Sequence, residues 1–243
     1  LDPDGDTHNY MELEINALGT IWDLLITQPY RDPFCRAINA WDVAGLKSAV
    51  ALDGSLNDPE DIDLGWSLEI AIPWDVISPL AGRDTPPSEG DQWRVNFSRV
   101  QWDLEIVDGE YHKAANPEYN WVWSPQGLIA MHYPERWGIV QFTEAAMGDT
   151  VPEVVPDADL PIRDLLFDMY YAQREYKEAN GVWASRLEEL SVNWRRIDDL
   201  VSEPVLWTGA RSFEINVNHR SGQMQYCITH EGRFTSHPLA TGE

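Results

Sequence analysis

Tryptophan is the residue type in this sequence that points most directly to binding chemistry. The chain has twelve tryptophans among 243 residues, and nine of them lie before position 138. An indole ring can fill a hydrophobic core, or it can offer a flat apolar face to the C–H side of a sugar ring. The candidates for such a platform, with His132 nearby, are Trp102, Trp121 and Trp123. Core packing is the alternative for these three, and it is our expectation for Trp22, Trp41, Trp66, Trp74, Trp93 and Trp137.

Polar side chains alternate with apolar ones in two segments, 9–17 and 93–102, as expected of strands with one exposed face. Carboxylate, amide and hydroxyl groups can exchange hydrogen bonds with the hydroxyls of a sugar. The alternative is that both polar faces are only solvated sheet surface. The candidate sugar-binding residues on these faces are Glu12, Glu14, Asn16, Asn96 and Ser98.

Arg99 interrupts the second alternation. Its guanidinium could bind two neighbouring sugar hydroxyls, or it could form a structural salt bridge with Glu12 or Glu14. The same two glutamates raise an enzymatic alternative, because glycoside hydrolases use two carboxylates about 5–9.5 Å apart. However, nothing in the sequence marks one of them as a buried acid. It also has no nucleophile elbow, metal-binding histidine pair or glycine-rich phosphate loop, so we expect a binding protein rather than an enzyme.

Asp2, Asp4 and Asp6 could supply oxygen ligands to a calcium ion. The segment is not an EF-hand loop, because its glycine, Gly5, stands at the fourth position and Leu13 replaces the bidentate glutamate. One interpretation is a structural Ca²⁺ held by Asp4, Asp6 and a backbone carbonyl. The other is an acidic hairpin turn. Beyond such an ion we expect no cofactor to be required.

Charge and composition exclude several classes of partner. The chain has 41 acidic and 17 basic residues, for a formal net charge of −24, so nucleic acid and anionic membrane surfaces would be repelled. No apolar run approaches the roughly 18 residues of a membrane span.

The two cysteines, Cys35 and Cys227, either form one long-range disulfide or remain free thiols. Because the chain opens with Leu1 instead of Met, we expect that an N-terminal segment, with any export signal, is missing.

Strands must position most of the candidate residues. Apolar or alternating runs predict strands at 9–17, 22–27, 46–52, 66–72, 93–102 and 138–142. A short helical turn is predicted from Pro73 to Ile77. Strands joined by turn-rich loops, without long helices between them, indicate an antiparallel β-sandwich over residues 1–144. The side chains expected to be buried together are Met11, Leu13, Ile15, Leu68, Ile70, Val95 and Phe97.

A small α+β unit is predicted for residues 162–243, after a proline-rich acidic linker at 145–161. Apolar residues recur at helical spacing over 162–178 and predict a helix with one buried side, which Gly181 ends. A second helical turn at 185–190 should have Ser185 as its cap and Glu188 at the capping-box position. A hairpin is predicted from 213–217 and 224–229, and 232–236 could add a strand. The buried side of the long helix comprises Ile162, Leu165, Leu166, Met169, Tyr170 and Gln173.

Five sequence blocks, in order, resemble the carbohydrate-binding modules of family 9, and in particular the larger family 9-like proteins of bacterial polysaccharide users. The blocks are DPDGDTHNYMELEINALGTIWDLLITQPYRD, GWSLEIAIPWDVI, GDQWRVNFSRVQW, NWVWSPQG and HYPERWGIVQF. The resemblance covers roughly residues 1–143 and implies a β-sandwich whose first strands are missing from this chain. It implies that Glu14, Asn16, Asn96 and Ser98 lie on or near sugar-lining positions. It also implies that Trp121 or Trp123 stands where the family has a stacking tryptophan, and that structural calcium is common.

Together these observations predict a non-catalytic carbohydrate-binding protein within a secreted polysaccharide-degradation system. The ligand would be a plant or algal polysaccharide or its fragments, and the location would be secreted, periplasmic or at the bacterial cell surface. Two alternatives from other classes stay open. One is a glycoside hydrolase acting on O-glycosyl bonds, and the other is a structural or surface-assembly protein.

Overall fold

The computed structural model describes residues 1–33, 35–83, 85–128 and 130–239, and the fold is mainly β with antiparallel sheets. The chain divides into two compact units, Leu1–Pro152 and Glu153–Glu243. Residues 142–159 contain neither helix nor strand, and the division between the units falls in this segment, where the sequence predicts a linker. Within the described ranges, no helix is both long and apolar enough to cross a membrane.

The first unit consists of short antiparallel sheets and one helix, α1 (Trp74–Ala81). The strands are β1 (Tyr10–Ile15), β2 (Ile21–Ile26), β3 (Ala37–Ile38), β4 (Lys47–Asp53), β5 (Gly65–Ala71), β6 (Gln92–Val95), β7 (Ser98–Gln101), β8 (Leu104–Val107), β9 (Glu110–Lys113), β10 (Tyr119–Val122) and β11 (Gly138–Gln141). Strands β1, β2 and β3 form one sheet, and the others form the pairs β4–β5, β6–β11, β7–β10 and β8–β9. A 3-10 helix, Pro134–Arg136, precedes β11.

The predicted common core of this unit was wrong, because only two of its seven residues are buried. Leu13, Ile15 and Leu68 are half-buried. Met11 and Val95 are buried, at 4% and 8% exposure, but they belong to different apolar clusters. Ile70 is 43% exposed, because β5 pairs only with β4 among the described strands and almost every residue of both is exposed. Phe97 is 59% exposed, because the predicted strand 93–102 is two strands and Phe97 lies between them.

The tryptophans expected to pack in the core divide into two groups. Trp93 and Trp137 are buried, and Trp41 is half-buried against the cluster around Met11. The remaining three have between 39% and 53% of their surface exposed, namely Trp22, Trp66 and Trp74. Spacing along a strand therefore did not separate core tryptophans from exposed ones.

The second unit is one long helix, α2 (Leu160–Asn180), and a four-stranded antiparallel sheet. Its strands, in both sequence and spatial order, are β12 (Val205–Thr208), β13 (Phe213–Asn218), β14 (Met224–Thr229) and β15 (Phe234–Pro238). Two 3-10 helices, Leu187–Glu189 and Trp194–Ile197, lie between α2 and β12. The predicted hairpin of β13 and β14 is confirmed, and β15 is the further strand that the sequence allowed.

Helix α2 has the amphipathic pattern that the sequence predicted. All six residues of its predicted buried side are at most 1% exposed. The helix ends where Gly181 takes a left-handed backbone (φ 76°) and donates its N–H to the Lys177 carbonyl at 2.7 Å. The capping prediction for the next turn was wrong by one residue: Glu189, not Glu188, accepts the N–H groups of Ser185 and Arg186.

Candidate functional site

The β7–β10 pair brings three of the predicted site residues, Arg99, Trp121 and Trp123, to one side. In an antiparallel pair, residues directly opposite each other share one face, and Trp121 lies opposite Arg99 while Tyr119 lies opposite Gln101. The ladder continues past β10, because Trp123 donates its backbone N–H to the carbonyl of Phe97 at 2.9 Å. We call this side of the pair the aromatic face; it comprises Phe97, Arg99, Gln101, Tyr119, Trp121 and Trp123. Ser98, the fourth predicted residue on the pair, lies opposite Val122 and therefore on the other side.

Two rings of the aromatic face share one orientation and are open to solvent. The ring planes of Tyr119 and Trp121 are within 9° of parallel, with centroids 6.1 Å apart. Tyr119 is 46% exposed and Trp121 is 54% exposed. The Tyr119 hydroxyl donates to a carboxylate oxygen of Asp103 at 3.1 Å, and this hydrogen bond raises the Tyr119 pKa. On the opposite strand, Arg99 donates to the Gln101 side-chain oxygen at 3.0 Å. Planar polar groups are thereby held beside two exposed rings.

Trp123 is more firmly attached to the protein than Trp121. Its Nε1 donates to the Val95 carbonyl at 2.9 Å, and its ring meets Phe97 edge to face. The indole also passes so close to Gly138 that a Cβ atom there would lie 2.7 Å from the ring. Trp102, by contrast, is half-buried and has the Lys113 ammonium 3.6 Å from its ring centroid. Trp123 is still 45% exposed, but Trp121, at 54%, is the most exposed of the three predicted platform residues.

A second group of predicted residues meets around His132. Its Nε2 lies 3.6 Å from a carboxylate oxygen of Glu12, and its Nδ1 lies 3.1 Å from the Tyr10 hydroxyl. The Tyr30 ring contacts the imidazole edge to face, with centroids 4.2 Å apart. Glu14 is the next residue on the same side of β1. We call this group the carboxyl cluster, formed by Tyr10, Glu12, Glu14, Tyr30 and His132.

Burial controls the protonation of the carboxyl cluster. Loss of hydration, and then the neighbouring Glu14, raises the pKa of Glu12 to about 7. Burial lowers the pKa of His132 to about 4, so the imidazole is neutral at neutral pH. Burial and then Glu12 raise the pKa of Tyr30. At slightly acidic pH, Glu12 and His132 are therefore neutral hydrogen-bonding groups instead of an ion pair.

Two predicted sugar-binding asparagines have other surroundings. The Asn16 side-chain oxygen accepts the backbone N–H groups of Leu18 and Thr20, at 3.1 and 2.9 Å, and so holds the β1–β2 turn. Asn96 lies between β6 and β7, half-buried, and its buried side-chain oxygen has no hydrogen-bond partner among the described residues. The predicted salt bridge from Arg99 to Glu12 or Glu14 does not form within the described part of the chain.

Sequence reasoning missed several members of both groups. Tyr119 has the same two-residue spacing from Trp121 as Trp123 does, so period-two spacing of aromatics could have identified it. Gln101 could have been found from its position two residues after Arg99 on the same strand. Tyr10 and Tyr30 gave no comparable signal, because their contacts with His132 join positions more than 100 residues apart.

The acidic loop at the start of the chain gathers three carboxylates. One oxygen each from Asp2, Asp4 and Asp6 lies within 4.8 Å of the others, with Asp2 and Asp6 buried and Asp4 exposed. These carboxylates also accept backbone N–H groups, as Asp2 does from Thr7 at 3.1 Å and Asp6 from His8 at 2.7 Å. Carboxylate oxygens are the donors that calcium prefers. The Ca²⁺ expected at Asp4 and Asp6 stays a prediction.

Both cysteines are free thiols in the structure. Burial and then Asp32 raise the pKa of Cys35, and burial raises the pKa of Cys227 to about 12. A thiol is a nucleophile only as the thiolate, so both cysteines are protonated and unreactive at neutral pH.

Comparison with known proteins does not identify a family. No protein-family model, curated protein or solved structure matches the chain. The resemblance to family 9 carbohydrate-binding modules therefore remains a hypothesis from the sequence blocks, and the argument for function depends on the geometry of the site.

Proposed function

We propose that the chain is a non-catalytic carbohydrate-binding protein of a secreted polysaccharide-degradation system. On this proposal the first unit is a family 9-like β-sandwich, and its location is secreted, periplasmic or at the cell surface. The observation that supports the proposal is the aromatic face, where the parallel, exposed rings of Tyr119 and Trp121 lie beside Arg99 and Gln101.

The chemistry of a sugar explains why these four side chains form a suitable site. Hydroxyls compete poorly with water for hydrogen bonds, so polar contacts alone give little net affinity. Stacking the C–H side of a pyranose on an indole removes apolar surface from water, and binding energy concentrates on such aromatic residues. The guanidinium of Arg99 and the amide of Gln101 can then bind the hydroxyls at the edge of the stacked ring. The aromatic face offers both kinds of contact side by side.

The test is calorimetric titration of neutral plant and algal oligosaccharides against Trp121→Ala, with Trp22→Ala as the matched variant. Both tryptophans are just over half exposed, at 54% and 53%, but Trp22 lies on β2, outside the aromatic face. Trp121→Ala should weaken binding by about 2 kcal/mol, or about thirtyfold in Kd, with the fold unchanged. Trp22→Ala should bind like the parent protein.

Two results would contradict the proposal in different ways. Loss of binding in Trp22→Ala alone would move the site to the carboxyl cluster, because Trp22 lies directly opposite Glu14. No glycan binding by the parent protein would refute carbohydrate binding and leave the structural or surface-assembly alternative. Trp123→Ala is a weaker test, because losing its bond to the Val95 carbonyl should also destabilise the unit.

A glycoside hydrolase is the second candidate, and one observation favours it. A carboxyl with a pKa raised to about 7, as for Glu12, is typical of a general acid. Against it, the Glu12 and Glu14 side chains are close enough to share a hydrogen bond, whereas hydrolase carboxyls stand at least about 5 Å apart. Release of reducing sugar from soluble polysaccharides that is abolished by Glu12→Gln would establish the enzyme and refute the non-catalytic proposal.

A further inference from the structure

The sheet of the second unit has two faces of opposite character. Its inner face packs against α2 and is apolar, as shown by Phe213, Ile215 and Ile228, which are at most 3% exposed. The register places the intervening residues together on the outer face. We call this side the polar sheet face; it includes Trp207, Glu214, Asn216, Asn218, Gln225 and His237.

The amide and carboxyl groups of the polar sheet face are held in place by bonds to one another. The Asn216 amide donates to a Glu214 carboxylate oxygen at 2.6 Å. The Gln225 amide donates to the Asn218 side-chain oxygen at 3.0 Å, across the β13–β14 pair. Each bond uses only one donor and one acceptor, so these amides keep further hydrogen-bonding groups. Side chains that are already ordered lose little entropy when a ligand binds them.

An exposed indole stands at one edge of this polar array. Trp207 lies on β12 directly opposite Glu214 and is 66% exposed. Its Nε1 has no hydrogen-bond partner among the described residues. His237, also exposed, lies on β15 at the far edge, beside Gln225. With neighbouring strands about 4.8 Å apart, the face from β12 to β15 spans about 14 Å, which is enough for a few linked sugar rings.

We infer that the polar sheet face is a second carbohydrate-binding surface, which binds a neutral polysaccharide chain through Trp207 and the ordered amides of Asn216, Asn218 and Gln225. The four strands contain no lysine or arginine, so they offer an anionic polymer no row of cations. A protein partner would instead favour a wide, dehydrated apolar centre. On this face the exposed apolar side chains, Val205 and Trp207, lie on the edge strand β12, and the central strands present amide and carboxyl groups beside the buried Cys227. A hydroxyl-rich, uncharged chain matches the donors, the acceptors and the single stacking ring.

This surface goes beyond the aromatic face and uses none of its residues. If both surfaces hold the same polymer, the second contact is intramolecular and strengthens attachment to a long chain much more than to a short oligosaccharide. The inference therefore predicts that the effect of Trp207 depends on the length of the ligand.

The test is affinity electrophoresis of the whole chain through gels that contain hydroxyethyl cellulose, arabinoxylan or galactomannan. Trp207→Ala should lower the affinity for the retarding polysaccharide about tenfold, and Asn218→Ala should weaken it with the indole still present. Val182→Ala is the control, because Val182 is 61% exposed in the same unit but lies off the sheet. Circular dichroism should show that all three variants keep the parent fold.

The outcomes separate this inference from the proposed function. Normal retardation of Trp207→Ala, with loss of retardation in Trp121→Ala, would refute the second surface and support the aromatic face. Loss in Trp207→Ala alone would support the second surface and refute the aromatic face. A changed elution volume of Trp207→Ala on size-exclusion chromatography, with retardation unchanged, would show a contact between protein chains and also overturn the inference.

Discussion

Glu12 and His132 should cancel each other's effect of pH on the free energy of unfolding of the first unit. The folded-state pKa of Glu12 is raised from 4.5 to about 7, so on acidification the folded state binds a proton before the unfolded chain does, and stability rises. The folded-state pKa of His132 is lowered from 6.5 to about 4, so the unfolded chain binds its proton first, and stability falls. The two ranges overlap between pH 4.5 and 6.5, where the effects oppose each other.

Single substitutions should reveal how each of the two residues changes the free energy of unfolding with pH. Without screening by water, each pKa shift changes the free energy of unfolding by about 3 kcal/mol. About a fifth of each side chain is exposed (20% for Glu12 and 21% for His132), so screening by water should leave about 2 kcal/mol. In Glu12→Gln, stability should fall by this amount as pH drops from 6.5 to 4. In His132→Gln, it should rise by a similar amount as pH drops from 7 to 4.5.

Urea denaturation followed by tryptophan fluorescence at several pH values measures these slopes. Other carboxyls titrate in the same range, so the relevant quantity is the difference between each variant and the parent protein. Glu14, Tyr10, Tyr30 and the Leu1 amino group face the pair and are unchanged in both variants. His112→Gln, at an exposed position on β9, is the control and should follow the parent curve. Difference curves of the same sign for the two variants would refute the compensation.

Three further predictions concern stability. Gln173→Ala should lower the free energy of unfolding of the second unit by about 2–4 kcal/mol. The reason is that Gln173 is fully buried and exchanges hydrogen bonds of 2.9 and 3.1 Å with the Ala184 backbone. Calorimetry measures this loss, and an unchanged melting temperature would contradict it. Phe97→Ala should cost only about 1 kcal/mol, because Phe97 is 59% exposed; a loss above about 3 kcal/mol would indicate full burial. Calcium should raise the melting temperature of the first unit, and Asp6→Asn should remove that rise; equal values with calcium and with a chelator would exclude the predicted ion.

Local periodicity predicted those elements whose partners are near in sequence. The spacing of 162–178 gave helix α2 and its buried side, because a helix satisfies its hydrogen bonds within itself. The β13–β14 hairpin was predictable for a similar reason, since its strands are joined by a short turn. The segment 93–102 was not, because alternation reports which side a residue is on and not which strand it pairs with. Strand β6 pairs with β11 and β7 with β10, and the chain changes partner at Asn96 and Phe97.

The candidate site was likewise predictable only where its residues lie near one another in the sequence. Spacing placed Trp121 and Trp123 on one side of a strand, and Arg99 was selected because it interrupts the alternation of 93–102. The meeting of Glu12 and His132 depends on contacts across 120 positions, which no local pattern contains. Asn16 was assigned to sugar binding on alternation, although an asparagine three residues before Gly19 is also a common turn residue. Its amide cannot both hold the turn and bind a hydroxyl with the same oxygen.

The exposed tryptophans show why neither composition nor exposure alone selects a binding residue. Among the described residues, three tryptophans expose more than half of their surface: Trp22, Trp121 and Trp207. The Nε1 of Trp22 donates to Asn39 at 3.1 Å, which fixes its ring and uses its only donor. No described residue accepts a bond from the Nε1 of Trp121 or Trp207, so each keeps both a ring face and a donor for a ligand hydroxyl. These two residues lie beside ordered polar side chains, Arg99 with Gln101 and Asn216 with Glu214. On our two proposals, this combination distinguishes a sugar platform from a ring that is merely exposed.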